Sequence, residues 1–420
     1  MLDRISQNAN NVLRSKRFLL TLCSLMIFSI LISSEVSRKI PNTAAVLIFI
    51  ISLLVLLFNF KRWKTLSPAI LFTCISFPLL VSIDVFLGGF SQDIPLLKTY
   101  WKASSFVFLP LLLAYSRFKV DDFGKLLLIF TGVSIFFNTI ILFYFELNRM
   151  QIDALLRYVI IYDGMIFSLL ACAMVYIYHI YTQNKCLLHY ILMFCLILAM
   201  MLLLFHGTRA LLPSLVIIPI YLICIYWKKA KLLAFVKCVA IILLLPFVFL
   251  SPYSSMQNRV QSINTEMTKY THQQPSSSGD RLTMWELAIQ DFKKSPILGQ
   301  GLEGLKNTHC KAMEEKRLNA CYDHAHSMYF HELSTHGILG FIGLLSIFFI
   351  PLSYFYRSHL STPSNMQQRL AIRMGVVFVC VTMINSTFDY FLINTRFSII
   401  LYVFLVVLFM YWSRPQLYQE

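Results

Sequence analysis

The sequence predicts an all-α polytopic membrane protein with about twelve spans and one long hydrophilic loop. Three observations carry that prediction. Of 420 residues, 58% are hydrophobic and only 13% charged, with a mean hydropathy of +0.68, whereas a soluble globular chain carries about 25% charged residues. Apolar runs of roughly 17–25 residues, each long enough to cross a hydrocarbon layer of ~30 Å, recur along almost the whole chain. Basic residues also distribute unevenly between the connections joining those runs. The net charge of +16 therefore points to anionic headgroups and topology signals rather than to nucleic acid.

The spans fall near 18–34, 44–60, 67–88, 103–116, 124–145, 165–182, 187–205, 210–227, 232–250, 338–356, 371–388 and 397–412. The first is not a cleavable signal peptide: it is long, lacks a small-x-small cleavage site and is followed by further apolar segments. Pro78 and Pro110 interrupt the third and fourth. With the N-terminus inside, eighteen Lys and Arg residues fall in short cytoplasmic segments and eight in short outer loops, as the positive-inside rule requires. Both termini are then cytoplasmic. Residues 1–250 carry nine spans, 251–337 form a large periplasmic loop, and 338–420 carry three spans and a short cytoplasmic tail. Most cysteines lie in the spans, where a free thiol behaves as a small hydrophobe. Cys310 and Cys321 lie in the outer loop, where they can pair and close the subloop "CKAMEEKRLNAC".

Within the loop, "NTEMTKYTHQQPSSSG" is polar and turn-rich, and "DRLTMWELAIQDFKKSP" follows. Leu282, Trp285, Ile289 and Phe292 recur at helical spacing, which predicts an amphipathic helix with that face buried, Asp280 as N-cap and Pro296 beyond its end. Such a helix lies along the bilayer surface or caps a cavity between spans. A second helix is predicted from about Ser327 to His336, with His326 at its start and Gly337 as a left-handed C-cap.

The stretch "HAHSMYFHELSTHGILG" (residues 324–340) concentrates the histidines. A zincin pattern needs two histidines four residues apart on one helix face. His331 and His336 are five apart, roughly 140° around a helix, so no metal site is predicted. Neither a G-x-S-x-G elbow nor a D-x-D carboxylate pair is present, which argues against serine-hydrolase and metal-clamped nucleotide-sugar chemistry. Two arginines remain at the outer membrane face: Arg209 in the short turn "FHGTRA" and Arg281 near the start of the amphipathic helix. Guanidinium recognises phosphate oxygens bidentately, and a helix N-terminus favours an anion. The same two residues could equally snorkel to lipid headgroups.

On the pattern H-[NSQ]-x9-G-x-x-G, here His326, Ser327, Gly337 and Gly340, and on the "GTRA" and "DRLTMW" arginine positions, the chain resembles the O-antigen ligases of Gram-negative bacteria. That resemblance implies a GT-C-type architecture in the inner membrane. It implies metal-independent, inverting transfer of O-antigen from undecaprenyl pyrophosphate to a sugar hydroxyl of lipid A–core, with no cofactor. His326 would act as general base or as a phosphate ligand, Arg209 and Arg281 would bind the pyrophosphate, and His324 and His336 are auxiliary candidates. An O-antigen polymerase, using a second lipid-linked glycan as acceptor, and a lipid-linked oligosaccharide flippase are the alternatives. A flippase needs charge along a path through the bilayer, whereas the charges here cluster in one loop.

Overall fold

The computed structural model describes residues 277–361, 365–390 and 396–414, with shorter stretches at 50, 67–73, 119–133, 168–180, 191, 194–197, 213–214 and 216–225. Every regular element among the described residues is a helix. The long ones are α1 (Ser277–Lys294), α2 (Gly301–Glu314), α3 (Met328–Leu360), α4 (Met366–Phe388) and α5 (Arg396–Trp412). Shorter apolar helices at Ser168–Ile180 and Val216–Ile225 fall within the expected sixth and eighth spans. Arg209, residues 251–276 and the spans expected near 18–34, 103–116 and 232–250 lie outside the described residues.

Helices α3 and α4 are long and apolar enough to cross a membrane. Their surroundings differ. In α4, 67% of the most apolar window is buried, against 33% in α3, so α4 sits inside the bundle and α3 at its edge. A helix apolar all round needs neighbours on every side, and α4 has them. The Ser168 and Thr382 hydroxyls meet at 2.9 Å, Cys172 Sγ donates to the Met374 carbonyl, and Tyr221 Oη donates to the Arg373 carbonyl at 2.9 Å. Tyr402 of α5 stacks on Phe378 of α4, meets Phe348 of α3 edge-on, and donates to the Ile347 carbonyl. The outer face of α3 leaves Ile342, Phe349, Tyr356 and Leu360 at least half exposed, an apolar strip suited to acyl chains.

Two expectations about the loop helices need correction. Helix α1 begins at Ser277, so Asp280 lies inside its first turn and is no N-cap. The buried stripe is Asp280, Thr283, Met284, Leu287, Ala288 and Asp291, while Ile289 of the expected stripe is 40% exposed and Leu282, Trp285 and Phe292 are half-buried. Apolar periodicity could not find that face, because both of its ends are carboxylates whose partners come from other elements. Asp291 accepts from Lys294 Nζ, Thr308 Oγ1 and Ser334 Oγ, which fastens α1 to α2 and α3.

The second correction is at Gly337. Its φ of 63° is positive as expected, but its ψ of −151° is not that of a left-handed cap, and a new helix begins at once. The α1–α2 linker fills the break. Ile338 N donates to the Pro296 carbonyl (2.8 Å) and Leu339 N to the Ile297 carbonyl, while Gln300 N donates to the Ser334 carbonyl (2.7 Å). Donors and acceptors freed by the kink are thereby paired. A Cβ at Gly337 would lie 2.6 Å from the Ile297 carbonyl carbon, and one at Gly340 would collide with His336. The motif's glycines are therefore requirements of close packing. Gly337→Ala should cost roughly 2–5 kcal/mol through backbone strain and overpacking, read as lower yield and Tm of the detergent-purified protein. An unchanged Tm would mean the linker does not pack there.

Candidate active site

Residues 321–327 form a turn held from three sides. Cys321 is disulfide-bonded to Cys310 of α2, with the Cα atoms 4.3 Å apart. His309 Nδ1 of α2 meets the Tyr322 carbonyl at 2.9 Å, and Trp285 Nε1 of α1 donates to the Ala325 carbonyl at 3.1 Å while its ring stacks on Phe330. The Tyr322 hydroxyl donates to Asp280 Oδ2 at 2.7 Å, where Asn319 also donates through Nδ2 at 3.0 Å. Burial, with the Asp280 carboxylate beside it, pushes the Tyr322 phenol well up. That scaffold holds His326 at φ 46°, a conformation costing of order 1–3 kcal/mol that survives only where the surroundings impose it.

His326 faces the C-terminal end of α4. Its Nδ1 lies 3.3 Å from Asp389 Oδ1, and Asp389 also accepts from Tyr390 N at 2.8 Å. Burial lowers the His326 pKa, with His324 and Arg281 adding to that and the Asp389 contact opposing it. Burial pushes Asp389 up, but the His326 contact and the nearby Arg281 charge outweigh it and leave the carboxyl below its usual range. A neutral imidazole beside an ionised carboxylate results. An accepting carboxylate at Nδ1 leaves the Nε2 lone pair free to take a proton.

Arg281 completes the group. Its Nη1 donates to the carbonyl of Phe388, the last residue of α4, at 3.0 Å. A cation is favoured at that helix end, and a guanidinium engaged through one N–H keeps further donors. Asp280, Arg281, Met284, Asn319, Tyr322 and His326 line a cleft of about 260 Å³.

The other candidates separate. His324 sits beside His326, with ring centroids 4.3 Å apart, and its Nδ1 meets Asp323 Oδ1 at 2.6 Å. That contact, against the opposing effect of burial, holds the Asp323 carboxyl down at about 2. His336 is taken up elsewhere: its Nδ1 meets Glu332 Oε2 and Thr335 Oγ1, each at 2.8 Å. It does not line the cleft. His331 is 1% exposed and packs against Tyr390. Asp389 was missed because the reading followed histidines and arginines. The available signal was an acidic residue in the short connection after the eleventh expected span, which the span count assigns to the same side as the loop.

The disulfide ties α2 to the segment bearing Asn319 and Tyr322 and has no chemical role in the cleft. Closing a loop of this length contributes ~3 kcal/mol by the chain-entropy argument. Cys310→Ser or Cys321→Ser should lower Tm while the protein still folds. Quantitative alkylation of both thiols without prior reduction would rule the bond out.

Residues 191–345 match the family model described as O-Antigen ligase. A Haemophilus influenzae protein described as an uncharacterized protein is 26% identical over 156 residues, which cover 36% of this chain and 38% of that relative. The chain thus matches about two fifths of that relative's length. The family match contains α1, α2, the His326 turn and the Gly337 kink, and ends before Asp389. Over residues 191–345, then, the chain is similar to the O-antigen ligase family, and the long apolar helices α3 and α4 suit an integral membrane protein.

Proposed function

We propose that this chain is an O-antigen ligase of the inner membrane, transferring a glycan from undecaprenyl pyrophosphate to a sugar hydroxyl of lipid A–core at the periplasmic face. The reading includes about twelve spans in a GT-C-type architecture, both termini in the cytoplasm, and the loop 251–337 outside. What supports it most is the convergence of Arg281 and His326 on one cleft, from α1 and the strained turn, with Asp389 beyond the end of α4 meeting His326 Nδ1. The family match adds ligase- or polymerase-type chemistry in general.

The acceptor oxygen attacks the anomeric carbon and its proton passes to His326 Nε2. A new C–O bond forms as the bond from the anomeric carbon to the pyrophosphate oxygen breaks, and undecaprenyl pyrophosphate leaves with the electron pair from the opposite face, inverting the centre. Asp389 holds the tautomer and stabilises the imidazolium. Arg281, with Arg209 assigned on its sequence motif, neutralises charge growing on the leaving group, where a fixed cation acts mainly in the transition state. No step calls for a metal.

Lipopolysaccharide from a deletion strain tests the assignment. Bare core with polymer retained on undecaprenyl is the expected result. Core bearing one repeat would indicate a polymerase, and lipid-linked glycan trapped inside would indicate a flippase.

A further inference from the structure

We propose that His324, His326 and Asp389 form a site for a divalent transition-metal ion of the zinc class, and that its occupation switches the transfer off. The inhibitory half rests on the reading of His326 as base; the binding half does not.

One ligand atom from each of the three side chains lies within 4.8 Å of the others. The decisive detail is His324. Its Nδ1 is engaged by Asp323, so its lone pair sits on Nε2, and that atom is buried with no hydrogen-bond partner. A buried polar atom left unpaired costs about 1–3 kcal/mol. It is also a ligand with its orientation already set, because a carboxylate holding the far nitrogen is the usual outer partner of a metal-bound histidine. His326 adds a second imidazole, and Asp389 a buried carboxylate at the 3.3 Å contact. Two imidazoles and one carboxylate form a three-ligand zinc set that keeps a coordination position open, and His326 borders the cleft. A hard ion such as Mg²⁺ prefers all-oxygen surroundings and should not compete. Arg281 lies near enough to repel a cation, but its Nη1 is turned to the Phe388 carbonyl rather than to the Asp389 carboxylate. The resulting affinity falls below that of a closed structural site, as a reversible brake requires.

Inhibition follows from either mode of ligation. A metal on His326 Nε2 occupies the lone pair that takes the acceptor proton. A metal on Nδ1 leaves the ring proton on Nε2, where the imidazole can only donate.

The experiment uses tag-free, full-length protein in detergent and ZnCl₂ as the probe, with bound zinc read against a chromophoric chelator and no substrate present. Wild type should hold one zinc per chain, His324→Ala should lose it, and Asp323→Asn should bind 10–100-fold more weakly. In transfer assays, zinc should inhibit wild type and EDTA restore it. Asp323→Asn should need a correspondingly higher zinc concentration, each variant being scored against its own EDTA-treated rate. Equal zinc binding by wild type and His324→Ala, or none by wild type, overturns the site. Zinc that binds as described but leaves the rate unchanged or raises it overturns the switch. Because binding is read without substrate, a chain that holds zinc but transfers no glycan would fail the functional reading and keep the site.

Discussion

Replacing His326 by alanine should lower turnover by roughly 10²-fold or more, while binding of the undecaprenyl-pyrophosphate donor persists. The ring is placed at real cost, at φ 46° in a turn fastened by α1 and α2, and its Nδ1 faces a carboxylate that sets the tautomer. Both features concern proton transfer. If the imidazole instead grips phosphate, donor affinity should collapse together with the rate. Asp389→Asn sharpens the distinction: an amide can present N–H to Nδ1 and reverse the tautomer, so its loss should approach that of His326→Ala with donor binding kept. His331→Ala is the contrast. It removes a buried ring packed on Tyr390, so stability should fall while turnover per folded molecule stays near wild type. Near-normal transfer by His326→Ala would remove it from the mechanism and leave His324 as the next candidate.

The membrane character of the chain was legible in composition, because a span is a length-and-polarity condition read directly from residues. The loop was legible only in part. That α1 exists followed from its spacing, but its buried face did not: Asp280 and Asp291 point inward toward Tyr322, Asn319, Thr308 and Ser334, and periodicity scores a buried carboxylate as surface. Gly337 was singled out as a helix end. Its true role, admitting the Pro296–Ile297 backbone against a kink, depends on a segment forty residues upstream that no local pattern reports. His326 was named on the family motif and Arg281 on its place near a helix start, whereas the contact of Asp389 with His326 needed the three-dimensional meeting of the end of α4 with the loop. The proposed third metal ligand beside His324 and His326 lies 63 residues beyond His326, out of reach of any local spacing.

Arg281→Ala should reduce transfer by about 10²–10³-fold, the usual cost of removing one fixed donor from a developing anion, with the larger share in kcat. Two roles compete for this side chain, and they predict different results. Its Nη1 satisfies the Phe388 carbonyl at the end of α4, so a purely structural arginine would show a lower Tm and unchanged turnover per folded molecule. A pyrophosphate ligand would show the reverse weighting. Arg281→Lys separates the two further. An ammonium retains the charge but lacks the planar fork, so it cannot hold the carbonyl and present a second, bidentate edge to phosphate at once. Its rate should therefore fall between wild type and alanine even where its Tm recovers. Arg209→Ala and Arg209→Lys should follow the same order if Arg209 shares the leaving group, and Arg259→Ala, which matches no motif, should not. Full activity of both alanine variants at normal expression would end the pyrophosphate assignment. A Tm loss without a rate loss at Arg281 would reduce it to the cap of α4.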